Sequence, residues 1–91
     1  MNKLRQYRQE IDKIDKRLID TLIERMFVSQ KIGEYKKTHN LNIIDFTRFH
    51  KTMEDKKNHI VEAGLGNMYI LHISDIYNLI HKFSIKIQEE I

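Results

Sequence analysis

The sequence predicts an all-α fold with three helices per chain, a long first helix followed by two shorter ones. Few positions interrupt a helix, because the 91 residues contain no proline and only three glycines. Apolar residues recur at three- and four-residue steps over most of the chain, which is the spacing of one helical face. No segment shows the alternation of apolar and polar residues that is typical of a half-buried strand.

The first predicted helix extends over about residues 4–37, with Gly33 as its one glycine. At ~1.5 Å per residue it spans about 50 Å, longer than a globular monomer of this size is wide. Because its apolar face needs cover from a second chain, we expect an intertwined homodimer. That face consists of Leu4, Tyr7, Ile11, Ile14, Leu18, Leu22, Val28, Ile32 and Tyr35.

Two breaks separate the remaining helices. Residues 38–44 form the first break, and Asp45 is expected to cap a second helix over about residues 46–63, since its side chain can accept from free backbone N–H groups. Gly64 is expected to end that helix. Asn67 is expected to cap a third helix that continues to the C-terminus. We therefore expect residues 1–91 to form a single domain.

Composition excludes several classes of function. Without cysteine there is no disulfide framework, thiolate zinc site or cysteine nucleophile. Lys and Arg number 16 against 13 Asp and Glu, a surplus that favours an anionic partner without indicating nucleic acid. Residues 1–20 are charged throughout and lack the apolar segment of a secretory signal, so we expect a cytoplasmic protein without membrane contact. The histidines form no cluster with carboxylates, and no glycine-rich phosphate loop is present, so neither metal nor cofactor is expected.

Two cations interrupt the apolar face of the first helix. Lys36 follows Arg25 by eleven residues, close to three full turns, so the two share a face. A buried cation is costly unless it meets an anion, which suggests a place where an anionic ligand docks. The alternative is that both side chains extend into solvent or pair with Glu24 or Asp45. Arg48 is either a charge partner of Asp45 or a further cation of the site.

Three further polar residues extend this hypothesis. Arg8 precedes Arg25 by seventeen residues, which is roughly 25 Å along a straight helix. If Arg8 joins the same site, it must come from another subunit. Ser84 and Gln88 lie four residues apart on the third helix and can both donate hydrogen bonds to an oxygen-rich ligand. Alternatively, they are an exposed polar pair near the C-terminus.

These residues occur within a pattern that resembles a known family. The run LRQYRQEIDKIDKRLIDTLIERMFVSQKIGEYKKTHNLNIIDFTR resembles the N-terminal half of the all-α (AroQ-type) chorismate mutases. In that family an arginine precedes I-D-x-I-D-x-x-L-I, and E-R-M and G-x-x-K segments follow. The end of the third helix, SIKIQ, is also similar, so the resemblance covers essentially the whole chain. It implies a homodimer with two sites that convert chorismate to prephenate, the branch step toward phenylalanine and tyrosine.

The resemblance also implies roles for the catalytic residues. Arg25 would bind one substrate carboxylate, and Arg8 of the partner subunit would bind the other. Lys36 and Gln88 would address the ether oxygen. The reaction is a Claisen rearrangement, which proceeds in one step without proton transfer. Catalysis is therefore expected to rest on holding the compact conformer and on stabilising the charge that develops as the C–O bond breaks.

The substrate's other groups are assigned in the same way. Asp45 and Arg48 would line the side that holds the ring hydroxyl, and Ser84 would touch a carboxylate. Active members of the family usually carry a glutamate after the matched arginine, and it accepts from that hydroxyl. Here the position is Phe49, which continues an apolar row of the second helix, and His50 follows it. Either His50 or Asp45 is a candidate substitute for the acceptor.

Other functions remain as alternatives. Isochorismate-pyruvate lyases share the fold and also lack the acid, although they tend to lack the counterpart of Asp45, which this chain retains. A catalytically impaired, chorismate-binding regulatory relative is a second alternative. A helical adaptor would explain the apolar faces but not the set of polar residues. A DNA-binding module would need clustered cations on a short helix, whereas acids and bases are evenly mixed here.

Overall fold

The computed structural model describes residues 2–91 and contains three helices: α1 (Lys3–Thr38), α2 (Phe46–Glu62) and α3 (Asn67–Glu89). The predicted all-α class is confirmed, and the helix bounds agree with expectation to within about two residues. No helix within residues 2–91 combines the length and the apolarity needed to cross a lipid bilayer.

The ends of α1 are fixed by local hydrogen bonds. Asn2 precedes the helix, and its side-chain oxygen accepts from the N–H of Leu4 at 2.7 Å. At the other end Asn40 takes a left-handed backbone conformation (φ 54°), which asparagine adopts more readily than most residues. The chain then turns so that the N–H of Leu41 donates to the carbonyl of Lys36 at 2.8 Å. This turn directs the following loop back toward the last turn of α1.

The caps of the other helices confirm two predictions and correct one. Asp45 caps α2, because its Oδ1 accepts from the N–H of Arg48 at 3.0 Å. Gly64 follows the last turn of α2 with φ 81°, the left-handed conformation that glycine tolerates best. The prediction that Asn67 caps α3 is wrong. Gly66 is the N-cap, with extended backbone and no side chain to donate or accept, and Asn67 is already helical.

Helix α3 packs against both α1 and α2 and holds the chain together. Helices α1 and α3 approach each other closely at Gly33, which is buried. A Cβ atom added there would lie 3.0 Å from the Cα atom of Gln88 and 2.6 Å from the Cδ1 atom of Ile91. The absence of a side chain at position 33 therefore allows α3 to pass close to α1, next to Lys36 and Gln88.

The N-terminal half of α1 is not buried against another helix. Every residue from 2 to 21 is exposed, including the large apolar residues Leu4, Tyr7, Ile11, Ile14 and Leu18. The accessible surface is 7907 Å², against about 5,600 Å² for a compact protein of this mass. The radius of gyration is 16.6 Å, against about 12 Å for a compact domain of this length. The single chain thus leaves uncovered the face for which the sequence predicts a second copy, and the homodimer stays a prediction.

Candidate functional site

A cleft of about 400 Å³ lies between the C-terminal half of α1, the loop after it, α2 and α3. Its volume falls within the range of sites that hold small molecules. All the predicted site residues except Arg8 line this cleft: Arg25, Lys36, Asp45, Arg48, Ser84 and Gln88.

Lys36 is held at the cleft by two hydrogen bonds. Its Nζ donates to the carbonyl of Ile43 at 2.6 Å and to Oε1 of Gln88 at 3.2 Å. An ammonium group carries three N–H bonds, so one remains for a ligand. Because lysine only donates, the oxygen of the Gln88 amide faces Lys36 and its NH₂ group is left to donate elsewhere. Two oriented donors therefore lie side by side in the cleft.

Arg25 is positioned by two buried hydroxyl groups. Its guanidinium donates to the Oγ of Ser84, and the hydroxyl of Ser29 donates to the same oxygen at 3.2 Å. Ser29 is 5% exposed and Ser84 is 7% exposed, so both oxygens are fixed within the packing of α1 on α3. Since the oxygen of Ser84 accepts from both neighbours, its own hydroxyl hydrogen is available to a ligand.

The cleft carries a strong excess of positive charge. Among residues 2–91, Asp45 is the one acidic residue that lines it, and that carboxylate already accepts from a backbone N–H. Within residues 2–91 one ion pair forms, between Lys57 and Glu54, and it lies outside the cleft. The alternative that Arg25 and Lys36 pair with Glu24 or Asp45 is therefore wrong. An unpaired cationic cleft attracts anions. Four cations line it: Arg25, Lys36, Arg48 and Lys56.

Crowding of these cations affects Lys56. Partial burial is the main cause that lowers its pKa, and the positive charges of Arg25 and Arg48 lower it further. The Lys56 ammonium also lies over the ring of Tyr77, 4.8 Å from the centroid. An anion entering the cleft would relieve this mutual repulsion, so the charge pattern favours an anionic ligand.

Phe49 forms part of the cleft wall rather than of an apolar core. It is half-buried and stacks on His81 of α3, with ring centroids 4.2 Å apart and planes inclined by 28°. Burial, followed by the charge of Arg25, lowers the pKa of the His81 imidazole. His50, one of the two candidate substitutes for the missing acid, is exposed and does not line the cleft, whereas Asp45 does.

Sequence reasoning missed several polar residues of the cleft. Ser29 lies on the same helical face as Arg25 and Lys36, so its spacing was a usable signal. Thr52 and Lys56 on α2 follow Phe49 by three and seven residues, so helical spacing could also have indicated them. The residue on α3 precedes Ser84 by three and Gln88 by seven residues, so its spacing was a usable signal as well. The missed residues are Ser29, Thr52, Lys56 and His81.

Arg8 is the predicted site residue that the structure does not bring to the cleft. It lies in the exposed N-terminal half of α1, roughly 25 Å along the helix from Arg25. No contact within its own chain can close this separation, because α1 is one continuous helix. Its contribution from a second subunit stays a prediction.

The groups that line the cleft are suited to binding and polarising a ligand. Within residues 2–91 no group of three His, Asp or Glu side chains is arranged to hold a metal ion. The polar groups that line the cleft are chiefly hydrogen-bond donors and cations, suited to a small ligand with carboxylates and a central acceptor oxygen.

Comparison with known proteins identifies a family but no individual relative. Neither the curated proteins nor the solved structures contain a match to this chain. The sequence model of the family described as chorismate mutase type II matches residues 7–89, which include all three helices almost completely. The chain therefore belongs to the chorismate mutase type II family.

Proposed function

We propose that this chain is a chorismate mutase that converts chorismate to prephenate in phenylalanine and tyrosine biosynthesis, with residues 1–91 as its single domain. The observation that carries the proposal is the pair formed by Lys36 and Gln88. They are joined at 3.2 Å, and each has a donor left for a ligand in a cleft lined by further cations. Family membership supports the same activity.

The pair Lys36 and Gln88 is suited to a Claisen rearrangement. As the C–O bond of the substrate breaks, negative charge grows on the ether oxygen. The free N–H of Lys36 and the amide NH₂ of Gln88 would donate to that oxygen. Ile43 and Gln88 already hold the ammonium in place, so little reorganisation is needed during the reaction. No general base or nucleophile is required, because no proton moves.

Cations and hydroxyls would hold the substrate in its compact conformer. Arg25, oriented by Ser84, would bind one carboxylate, and Arg8 of the partner subunit would bind the other. Arg48 and Asp45 would line the side of the ring hydroxyl. Fixing both ends of a flexible substrate removes much of the entropic barrier to a pericyclic step. Arg25, Lys36 and Gln88 are thus proposed as catalytic, and Arg8, Asp45, Arg48 and Ser84 as substrate-binding.

An intertwined homodimer would complete this site. A second pocket of about 200 Å³ lies beside Arg25 and Ser84, between α1 and α3. Apart from those two residues, its lining is apolar: Leu22, Met26, Leu79, Ile80 and Phe83. The uncovered apolar face of α1 in a second copy has the chemistry to fill such a pocket, and it carries Arg8.

A second candidate function is an isochorismate-pyruvate lyase. The observation that favours it is Phe49, which places an aromatic ring in the cleft where active mutases usually have an acid. Asp45 also lines the cleft, and its retention favours the mutase.

The deciding experiment follows chorismate disappearance with purified protein, identifies the product, and runs isochorismate in parallel. The proposal expects prephenate from chorismate. Pyruvate released from isochorismate alone would assign the lyase, and no turnover of either substrate would contradict an enzymatic role. Lys36→Ala should lose the activity, whereas the exposed Lys31→Ala should keep it, which excludes a contaminating enzyme as the source.

A further inference from the structure

The cleft contains many hydrogen-bond donors and few free acceptors. The carbonyl of Ile43 and Oε1 of Gln88 both accept from Lys36. The oxygen of Ser84 accepts from Arg25 and Ser29. Chorismate carries a ring hydroxyl, which must donate its hydrogen to some acceptor when water is excluded. The site therefore needs an acceptor that these residues do not supply.

His81 offers a free acceptor. Its ring stacks on Phe49 with a centroid separation of 4.2 Å, and within residues 2–91 it has no hydrogen-bond partner. Stacking fixes the plane of the imidazole and leaves the nitrogens on the ring edge without a hydrogen-bond partner. His81 also lines the cleft, so an entering ligand can reach it.

The electrostatic surroundings of His81 favour the form that accepts. Cations face it from both neighbouring helices, Arg25 and Lys36 on α1 and Lys56 on α2, while Asp45 and Arg48 line the same cleft. Partial burial and then these cations lower the pKa of the imidazole below its usual value. At neutral pH the ring is therefore neutral, with one donor and one acceptor nitrogen.

Two other groups of the cleft that can accept, on Asp45 and Thr52, each make one hydrogen bond to α2. Oδ1 of Asp45 caps the helix, which leaves its second oxygen. The hydroxyl of Thr52 donates to the carbonyl of Phe49 at 2.9 Å and retains its lone pairs. His81 differs from both because neither of its ring nitrogens has a protein partner within residues 2–91, so both are available to a ligand hydroxyl.

We propose that His81 is a specificity-determining residue that accepts the hydrogen bond of the substrate's ring hydroxyl, with Phe49 holding its ring in place. The inference rests on the proposed function, since it concerns how the same site recognises its substrate. It assigns the site to a hydroxylated cyclic dicarboxylate, rather than to any dianion of similar size. Phe49 thus serves as a wall for the imidazole, and the neighbouring helix supplies the acceptor.

The test compares two bicyclic ether dicarboxylates that mimic the rearrangement transition state and differ only in the ring hydroxyl. Their Kd values are measured by calorimetry at pH 7.5. Wild-type protein should prefer the hydroxylated compound by about threefold to tenfold, the worth of one net hydrogen bond. His81→Phe keeps an aromatic ring and the net charge but has no acceptor. It should remove this preference while leaving the Kd of the compound without the hydroxyl unchanged.

Two further variants separate His81 from its neighbours. Adding Phe49→Glu to His81→Phe supplies an acceptor next to the original one and should restore the preference. Thr52→Val, the matched control on α2, should keep it. In wild-type protein the preference should also fade as the pH drops through the lowered pKa of His81, because the protonated imidazole cannot accept.

The outcomes distinguish this inference from the proposed function. Unchanged preference in His81→Phe, or a wild-type protein that binds both compounds equally, would contradict the role of His81 and leave the mutase proposal standing. A wild-type protein that binds neither compound would contradict the proposed function itself and, with it, this inference.

Discussion

The two halves of α1 have the same helical periodicity but different surroundings. In the C-terminal half, Ser29 and Gly33 are buried against α3, whereas in the N-terminal half Leu18 is 54% exposed and Ile11 is 56% exposed. The difference arises because α3 packs against only the C-terminal part of the 36-residue helix. An apolar face thus indicates that a helix packs against something. The part of that face that extends beyond the other helices of its own chain must pack against another molecule.

The two halves also differ in what interrupts the apolar face. The N-terminal half continues without polar interruption through Ile11, Ile14 and Leu18. In the C-terminal half the face includes Arg25 and Lys36, and both line the cleft. Polar residues on an otherwise apolar face therefore indicate the half of α1 that lines the cleft, and the uninterrupted half carries the proposed dimer interface.

The largest effect is expected from a charge placed in the N-terminal half. Ile11→Glu would put a carboxylate on the proposed dimer interface, where an unpaired charge is strongly unfavourable. We expect loss of the dimer in sedimentation velocity at micromolar concentration, together with loss of mutase activity. Gln9→Glu introduces the same charge on the opposite side of the helix and should change neither. A dimer that survives Ile11→Glu would place the interface elsewhere.

The next effect concerns the functional half. Lys36→Ala removes a donor that is held by Ile43 and Gln88. The loss of one preorganised donor typically costs on the order of 10² to 10³ in rate. We expect a kcat reduced by about that factor, with an unchanged far-UV circular dichroism spectrum and an unchanged dimer. Wild-type turnover in this variant would remove Lys36 from the catalytic residues.

A smaller effect is expected at the crossing of α1 and α3. Gly33→Ala would place a methyl group 3.0 Å from the Cα atom of Gln88, so α3 must shift. Overpacking of this kind costs about 1 to 3 kcal/mol, and it should move Gln88 away from Lys36. We expect a lower thermal midpoint and a reduced kcat. Gly66→Ala, where an added Cβ meets nothing within 4 Å, is the control and should leave kcat unchanged.

The smallest effect is expected at the cap of α2. Asp45→Ala removes the carboxylate that accepts from the N–H of Arg48, at a cost of about 1 kcal/mol in the free energy of unfolding. Asp45→Asn keeps an accepting oxygen and should retain most of that stability. Chemical denaturation at one protein concentration measures both. Equal losses of unfolding free energy in the two variants would show that the charge of Asp45, rather than its capping hydrogen bond, stabilises the fold.

The fold was predictable from sequence because its determinants are local. Helical spacing, the position of Asp45 and the glycine at position 64 each act within a few residues. The assignment of Asn67 failed because the extended backbone of Gly66 begins α3 one residue earlier, without any side-chain cap. A capping prediction rests on residue type alone, whereas the start of a helix also depends on the turn that precedes it.

The site was predictable only where one helix carries the information. Arg25 and Lys36 share a face of α1, so their proximity to one ligand follows from helix geometry. Two features depend on how separate helices cross: the stacking of His81 on Phe49 and the close approach at Gly33. No spacing within a single segment predicts them.

The most direct test of the central claim, a site shared between two chains, mixes two inactive variants. Arg8→Ala and Lys36→Ala should each have little activity alone. If Arg8 acts across the dimer, a mixed dimer contains one intact site, because one chain supplies Arg8 and the other supplies Lys36. Refolding the two chains together in equal amounts should then restore about a quarter of wild-type activity, from random pairing of subunits. No recovery in a mixture shown to contain mixed dimers would contradict the shared site.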